Sequence, residues 1–431
     1  MSKKRSLRFS LFEGIFTSLN QGFTTDYVTP FALILGAANA HIGILSAVPQ
    51  LVGAAVQLRT ARIARLLGSR QKTVVGAMAF QALIYFLLGL VIFIPENLRA
   101  AVFIGLMILY QMMGSVYAPA WSSLMSDTVD GKRYGRYFAW RGKILGLVSM
   151  LCGFASGLIL TFIPEELTGF LILFTAGGLF KTLSCWFMSR MEDIKVEIHT
   201  EKNHFFSFLK DPKEKNFLNF IFFVALMNFT IFLASPFFSV YMLSYLGVSY
   251  ITYSVLTSAT ALASLFSLPF WGKMADRYGN AGITKAAGAL LPITPVFWLM
   301  SRNPVFLFIA KGLSGYLAAG FALATVNFIY DSSSSEKRTA HVAFYNFIIG
   351  IFIFGGSLAG GLLSTILPPV MGSSLLTLFL VSAVLRAGVF SLMHSRFEEV
   401  RESRFIRKRR MILKIIRHPV YYFIRPAREK A

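Results

Sequence analysis

Charged side chains are sparse in this sequence, at 14% of 431 residues, whereas a soluble globular domain carries about 25%. With 55% hydrophobic residues alongside, that shortage excludes an ordinary water-soluble protein and makes the lipid bilayer the expected solvent. Acidic residues are fewer still, 20 against 42 Lys and Arg. In a soluble chain such an imbalance points to nucleic acid, but cytoplasmic loops of membrane proteins collect the same excess, so the positions of the charges decide. Cysteine is nearly absent. Cys152 and Cys185 both fall within apolar runs, and two cannot build a structural metal site or a disulfide framework, so no metal and no cofactor are expected. Nor is there a nucleotide-binding loop, a zinc-protease motif or a nucleophile elbow, which argues against ATP use and against an enzyme.

What the chain has instead is long apolar runs. Twelve are long enough to cross a bilayer, which takes roughly 17 to 25 residues: 9–35, 41–58, 73–95, 98–124, 137–163 and 167–189, then 216–246, 249–271, 281–300, 303–330, 339–367 and 370–394. The first follows a basic start, Met1 to Arg8, as a secretory leader would. Glu13, Asn20, Gln21 and Asp26 interrupt it, however, and no small-residue cleavage site follows, so it reads as a span that stays. Lys and Arg alternate between connections. Four precede the first run; five lie from Arg59 to Lys72, five from Lys132 to Lys143, six from Arg190 to Lys215, three at Lys273, Arg277 and Lys285, two at Lys337 and Arg338, and twelve after His394. The intervening connections hold only Arg99 and Arg302. By the positive-inside rule both termini are cytoplasmic, and nucleic acid is not an expected partner.

The charged, breaker-containing stretch around Asp211 and Pro212 divides the chain. The expected layout is a cytoplasmic N-terminus (1–8), a six-helix half (9–190), a cytoplasmic linker (191–215), a second six-helix half (216–394) and a tail (395–431). The halves repeat. Leu35-Gly36 and Leu246-Gly247 each begin a short outer turn, and Gly68 and Gly279 follow them at the next turn, both pairs 211 positions apart. Asp127 before Lys132-Arg133 matches Asp331 before Lys337-Arg338, and Arg190-Met191-Glu192-Asp193 matches Arg396-Phe397-Glu398-Glu399. Two parallel six-span repeats with a path between them is a transporter plan.

From about Phe9 to His394 the sequence resembles the major facilitator superfamily. The most specific match is Gly272-Lys273-Met274-Ala275-Asp276-Arg277-Tyr278-Gly279, which is similar to the family's signature turn between the second and third spans of a half. The resemblance implies an all-α integral membrane fold of twelve transmembrane helices in two pseudo-symmetric halves, working by alternating access around a central site lined by spans one, four, seven and ten. It also implies that Gly272, Asp276, Arg277 and Gly279 act as a conformational latch; a solvated loop with a helix cap is the plainer alternative. Residue by residue, Gly272 and Gly279 permit close approach and a left-handed bend, Asp276 can accept hydrogen bonds at a helix N-terminus, and Arg277 stays with the anionic inner leaflet. The first half departs from the pattern: Ala61 and Arg65 stand where Gly272 and Asp276 would. In span four Tyr110 replaces an expected basic residue, while span ten has Lys311 four before Gly315.

Ionisable and polar groups inside spans are the functional candidates. Glu13, Thr17, Asn20, Thr24 and Tyr27 share one face of span one at about 100° per residue, lining either a water-filled path or a polar helix seam. Asp26 lies on the opposite side, suited to a proton or cation or to a backbone bond near the outer mouth, and Lys311 at similar depth is a possible charge partner. Glu13 sits near Lys3, Lys4, Arg5 and Arg8, which suits an interfacial or helix-dipole role as well as ion coupling. Lys181 and Arg386, eight or nine residues before the inner ends of spans six and twelve, are expected to snorkel toward the cytoplasm. Asn228, Asn327, Tyr330 and Asn346 are candidate hydrogen-bonding groups for a polar solute, or bonds between helices. The segment Phe405 to Pro426 alternates apolar and basic residues and is expected to lie on anionic lipid.

The sequence therefore predicts a monomeric, multi-pass protein of a bacterial inner membrane. It moves a small solute as a secondary transporter, with protons as a possible coupling ion. A transporter-like sensor or scaffold without net flux is the other reading.

Overall fold

The computed structural model describes residues 3–57, 60, 63, 66–130, 134–193, 212–334 and 337–400. The tail beyond Val400, most of the central linker and Ala61 and Arg65 lie outside the described residues. Among those described, helices joined by short turns account for the regular structure, apart from an isolated bridge between Val370 and Ser373. Eleven helices are long and apolar enough to cross a membrane: Asn39–Gln57, Arg70–Phe93, Glu96–Thr128, Tyr137–Phe162, Glu166–Ser189, Lys215–Tyr245, Tyr250–Tyr278, Asn280–Met300, Pro304–Asp331, His341–Ile366 and Ser374–Met393. They are spans two to twelve. Span one, Lys3–Thr24 continuing through a 3-10 turn at Thr25–Tyr27 into Val28–Ile34, is too interrupted by polar residues to join them on composition.

Bilayer interiors supply no water to unpaired backbone groups, and several spans start at a residue whose side chain caps them. Ser69 accepts from the Lys72 amide at 2.9 Å, Ser249 from Thr252 at 3.3 Å, and Asn303 from Val305 at 2.8 Å with Pro304 as the first helical residue. Span nine breaks between Leu290 and Ile293, where Pro292 and Pro295 each remove an amide donor. The turn glycines of the repeat all adopt the left-handed conformation: Gly36 (φ +85°), Gly68 (+61°), Gly247 (+59°) and Gly279 (+82°).

Packing follows the same repeat. Span one lies against five and six as seven lies against eleven and twelve; span two against four as eight against ten; span three against four and six as nine against ten and twelve. The halves meet along two seams, span two with eleven and span five with eight. A side chain added at Gly43 would meet Gly361 and the Ser357 carbonyl, and one at Gly157 would meet Ser254 and the Tyr250 carbonyl at 2.8 Å.

The apolar core shows which way this arrangement is closed. On the face opposite the N-terminus a single buried cluster joins both halves, running from Tyr27, Phe31 and Phe170 to Phe237, Tyr253 and Trp298. On the face that carries the N-terminus each half has its own cluster, around Met78, Leu124 and Met188 in the first and around Phe220, Trp271 and Phe328 in the second. The cross-half hydrogen bonds from Ile251 N–H to Thr161 (3.2 Å), from Tyr253 hydroxyl to the Asp26 carbonyl (2.8 Å) and between Ser357 and Ser46 (3.2 Å) also lie toward the far face. The halves are sealed on the far face and have separate cores on the terminal one.

Gly157→Leu should therefore wedge the seam between spans five and eight open. In a Ser254→Cys background, labelling by a membrane-impermeant maleimide added from the far side is expected to rise; unchanged labelling would mean the seam tolerates the side chain.

Candidate functional site

Within the first half, span one presents Glu13 to a buried polar cluster. Its carboxylate accepts from Arg141 Nη2 at 2.8 Å, from the Thr17 hydroxyl at 3.2 Å and from the Tyr117 hydroxyl at 3.5 Å. Ser184 donates to the Glu13 carbonyl at 2.9 Å, and Thr17 and Ser184 lie 2.8 Å apart. The Arg141 guanidinium rests over the Trp121 ring at 4.9 Å and the Lys181 ammonium over Tyr117 at 5.1 Å. The guanidinium packs against Gly14, where a Cβ would collide with it. Glu13 is fully buried and Arg141 7% exposed, so the ion pair is enclosed by protein.

The other members of the polar face of span one also find protein partners. The Asn20 amide donates to the Gly177 carbonyl at 2.9 Å, Thr24 to the Asn20 carbonyl at 2.8 Å with Tyr85 3.1 Å away, and the Tyr27 hydroxyl to the Gly153 carbonyl at 2.7 Å. Asn20, Thr24 and Tyr27 are buried. This face thus packs on spans three, five and six within the half, with Asn20 Oδ1 left without a hydrogen-bond partner.

Asp26 stands apart. The 3-10 turn at Thr25–Tyr27 turns it out of that seam, and it is exposed, with Thr25 and Gln21 beside it on span one. Its backbone carbonyl is held by Tyr253 of span eight. Lys311, half-buried in span ten, has its carbonyl held by Thr260 of the same span eight at 3.3 Å. The two side chains are within electrostatic reach of each other but form no ion pair within 4.0 Å. Asn228 donates to the Val224 carbonyl of its own helix at 2.9 Å. Asn228 and Asn327 are both half-buried, and Tyr330 is exposed under the Arg338 guanidinium at 5.7 Å.

At the turn before span nine, Gly279 has the left-handed conformation and its N–H donates to the Ala275 carbonyl at 2.9 Å. The capping acid is not Asp276. Span nine's first free amide, Ala281 N–H, donates to Glu399 Oε2 at 2.7 Å. Asp276 is exposed because span eight remains helical to Tyr278, and a helical side chain leans back toward its own N-terminus, away from the next helix. Arg277 lies over Tyr278 at 5.4 Å. Gly272 permits no close approach, since a Cβ there would meet open space. The conserved geometry of the repeat lies one step further on: Arg70 pairs with Asp127 at 2.7 Å in the first half, and Asn280 donates to Asp331 at 2.6 Å in the second.

Lys181 and Arg386 do not snorkel; each is 2% exposed. Arg386 donates to Thr294 at 2.9 Å and to the Leu291 carbonyl at 3.2 Å, the carbonyl that Pro295 cannot satisfy for want of an N–H. Three groups escape the sequence reading. Arg141, counted by sequence with the connection from Lys132 to Lys143, lies inside the helix Tyr134–Phe162. Glu399 sits beyond the last span. Glu214 pairs with Lys337 at 2.7 Å and lies 3.6 Å from His341, whose other ring nitrogen is 2.8 Å from Ser333; these join the terminal ends of spans seven, ten and eleven, and no local pattern announces it.

This fold and these paired halves agree with comparison to known proteins. The family model described as Major Facilitator Superfamily matches residues 11–234 and 218–426. The chain belongs to that superfamily. Among solved structures, a variant of the nucleoside transporter NupG is similar at a TM-score of 0.70 and 12% identity, covering 91% of this chain and 100% of its own. A bacterial homologue of the iron transporter ferroportin in an inward-facing state is similar at 0.65 and 16%, covering 92% and 100%. A bacterial homologue of the human lysosomal transporter Spinster, inward-facing and occupied, is similar at 0.66 and 14%, covering 94% and 100%. No curated protein sequence matches this chain. At such identities the likeness is one of fold, and it makes this a multi-pass integral membrane protein of a transporter family.

Removing one partner of a buried pair leaves the other charge stranded, at about 3–5 kcal/mol. Arg141→Ala should lower the thermal unfolding midpoint of the detergent-solubilised protein far more than the double change Glu13→Gln with Arg141→Met. Equal losses would mean that the cluster's hydrogen bonds, not its charge balance, hold it.

Proposed function

We propose that the protein is a secondary active transporter that carries a small solute across a bacterial inner membrane by alternating access, coupled to protons. The observation that carries this reading is the core: one apolar cluster shared by both halves on the far face, two separate clusters on the terminal face. Halves that are sealed on one side and independent on the other can rock about the ground between them. Residues 3–34 serve as the twelfth span, and the Lys and Arg excess on the terminal face puts both termini in the cytoplasm. The basic tail rests on anionic lipid, and the transporter works as a monomer without enzymatic activity.

Asp26 and Lys311 face the path between the halves, with Asn228 and Asn327 as further polar groups along it. Thr17, Asn20, Thr24 and Tyr27 hold the first half together beside it. Protons couple at Glu13: its carboxylate can be charged against Arg141 or neutral, and the change would release or recapture the guanidinium. Gly279 and Arg277 shape the turn whose Asp276 has no partner among the described residues, so the latch engages only when the terminal face closes. The solutes named for the similar structures range from nucleosides to iron, so the fold does not select the cargo.

Reconstituted in liposomes, the protein should accumulate its solute only under an imposed pH gradient, while Glu13→Gln should exchange solute but fail to concentrate it. Accumulation by the variant equal to the parent would remove Glu13 from coupling, and binding without flux of any kind would favour a sensor or scaffold. Asp276→Asn should leave the unfolding midpoint nearly unchanged and shift cysteine accessibility on the terminal side; identical accessibility would reduce that turn to a connector.

A further inference from the structure

Span eight acts as a ruler between the halves. Tyr253 holds the backbone of Asp26 from the first half, and Thr260 holds the backbone of Lys311 from the second. These two hydroxyl residues are seven positions apart on span eight, two turns and about 10 Å along one helix face. An acid and a base thus come from opposite halves to one helix, beside the sealed far side that Tyr253 helps to close, and their charges lie near enough to act on each other. Their side chains reach toward each other's field without touching within 4.0 Å. Neither makes a side-chain hydrogen bond or an ion pair with any described residue, although a charge inside a membrane protein ordinarily finds a partner.

Charge balance then restricts what fits between them. A cationic solute bound at Asp26 would leave Lys311 unmatched, an anionic solute at Lys311 would leave Asp26 unmatched, and a neutral one would neutralise neither at close range. Only a solute carrying both signs satisfies the two at once and keeps the interior electrically neutral. Resting on the transporter reading above, we infer that the solute is a small zwitterion of the amino-acid or short-peptide class, its ammonium group on Asp26 and its carboxylate on Lys311. Because the two groups belong to different halves, such a solute also ties the halves together through its own charges. A molecule with one charge removed would bind one half only.

The test uses the purified full-length protein and a defined panel: the twenty common amino acids, glycine betaine and a set of dipeptides, each primary amine also in N-acetylated form and each carboxylate as its methyl ester. Thermal shift with titration gives apparent affinities. At least one zwitterion is expected to bind, and acetylation or esterification should each weaken it by about 10-fold or more, the size of one lost charge-assisted contact. In Asp26→Asn the acetylated and parent ligands should bind alike, and in Lys311→Gln the ester and parent should. The inference is overturned if the derivatives bind the unmodified protein as well as their parents, if only uncharged or singly charged solutes bind, or if the whole panel is silent. It is overturned too if the variants alter cysteine accessibility but leave the derivative preferences intact, because the two charges would then be a gate that closes on itself. Should either variant fail to fold, the derivative series on the unmodified protein decides. Failure of the transporter reading looks different: a zwitterion would bind with the expected derivative pattern, yet liposomes would show no flux of it.

Discussion

A polar group left unpaired in hydrocarbon costs several kcal/mol, and most of the arrangement described here follows from meeting that demand. It dictates an all-helical chain, since only helices satisfy their own backbones. It also decides where side chains with charge can go. Arg386 is inside span twelve where span nine breaks, and there it donates to the Leu291 carbonyl and the Thr294 hydroxyl. Arg141 is inside span five because Glu13 is opposite and Gly14 leaves room. Charge in this protein is placed by what the neighbouring helix lacks.

The same reasoning separates what could be read in the sequence from what could not. Span positions, the repeat and the left-handed bend at Gly279 were legible, because each depends on composition or on a residue whose backbone freedom is its signature, whereas Gly272 lies inside the helix Tyr250–Tyr278 and makes no such bend. Lys181 and Arg386 were misjudged because snorkelling considers one helix and the lipid around it, whereas their partners, Tyr117 and Thr294, come from other spans. Asp276 failed as a cap for a local reason, the helix running on to Tyr278 through the stretch read as a turn, and Glu399 took that place from more than a hundred positions away. The polar face of span one was correctly grouped, but periodicity cannot say which neighbour a face meets. Here it meets spans three, five and six, while the 3-10 turn hands Asp26 to the other side.

The two halves are equivalent in helix packing and unequal in chemistry. Where the first half joins its third and fourth spans by an arginine and an aspartate, the second uses an asparagine and an aspartate. The first half carries the buried Glu13 cluster, and the second carries Lys311 and the capped turn of span nine. A duplicated scaffold has thus been kept where backbones meet and differentiated where side chains face the interior, as expected if packing constrains both copies alike and transport needs each only once.

The shared aromatic cluster on the far face also determines what the protein does when nothing is bound. Opening that side would wet Phe31, Tyr253, Trp298 and their neighbours, surfaces now dry, while the terminal side has no common cluster to lose. On the proposed alternating-access reading, keeping that cluster dry favours the arrangement that faces the side of the termini, in the manner of a door with a spring. A ligand can reverse such a bias only by binding the other orientation more tightly than this one, so the strength of that spring, set by a few aromatic rings, fixes the least affinity difference that a productive solute must supply.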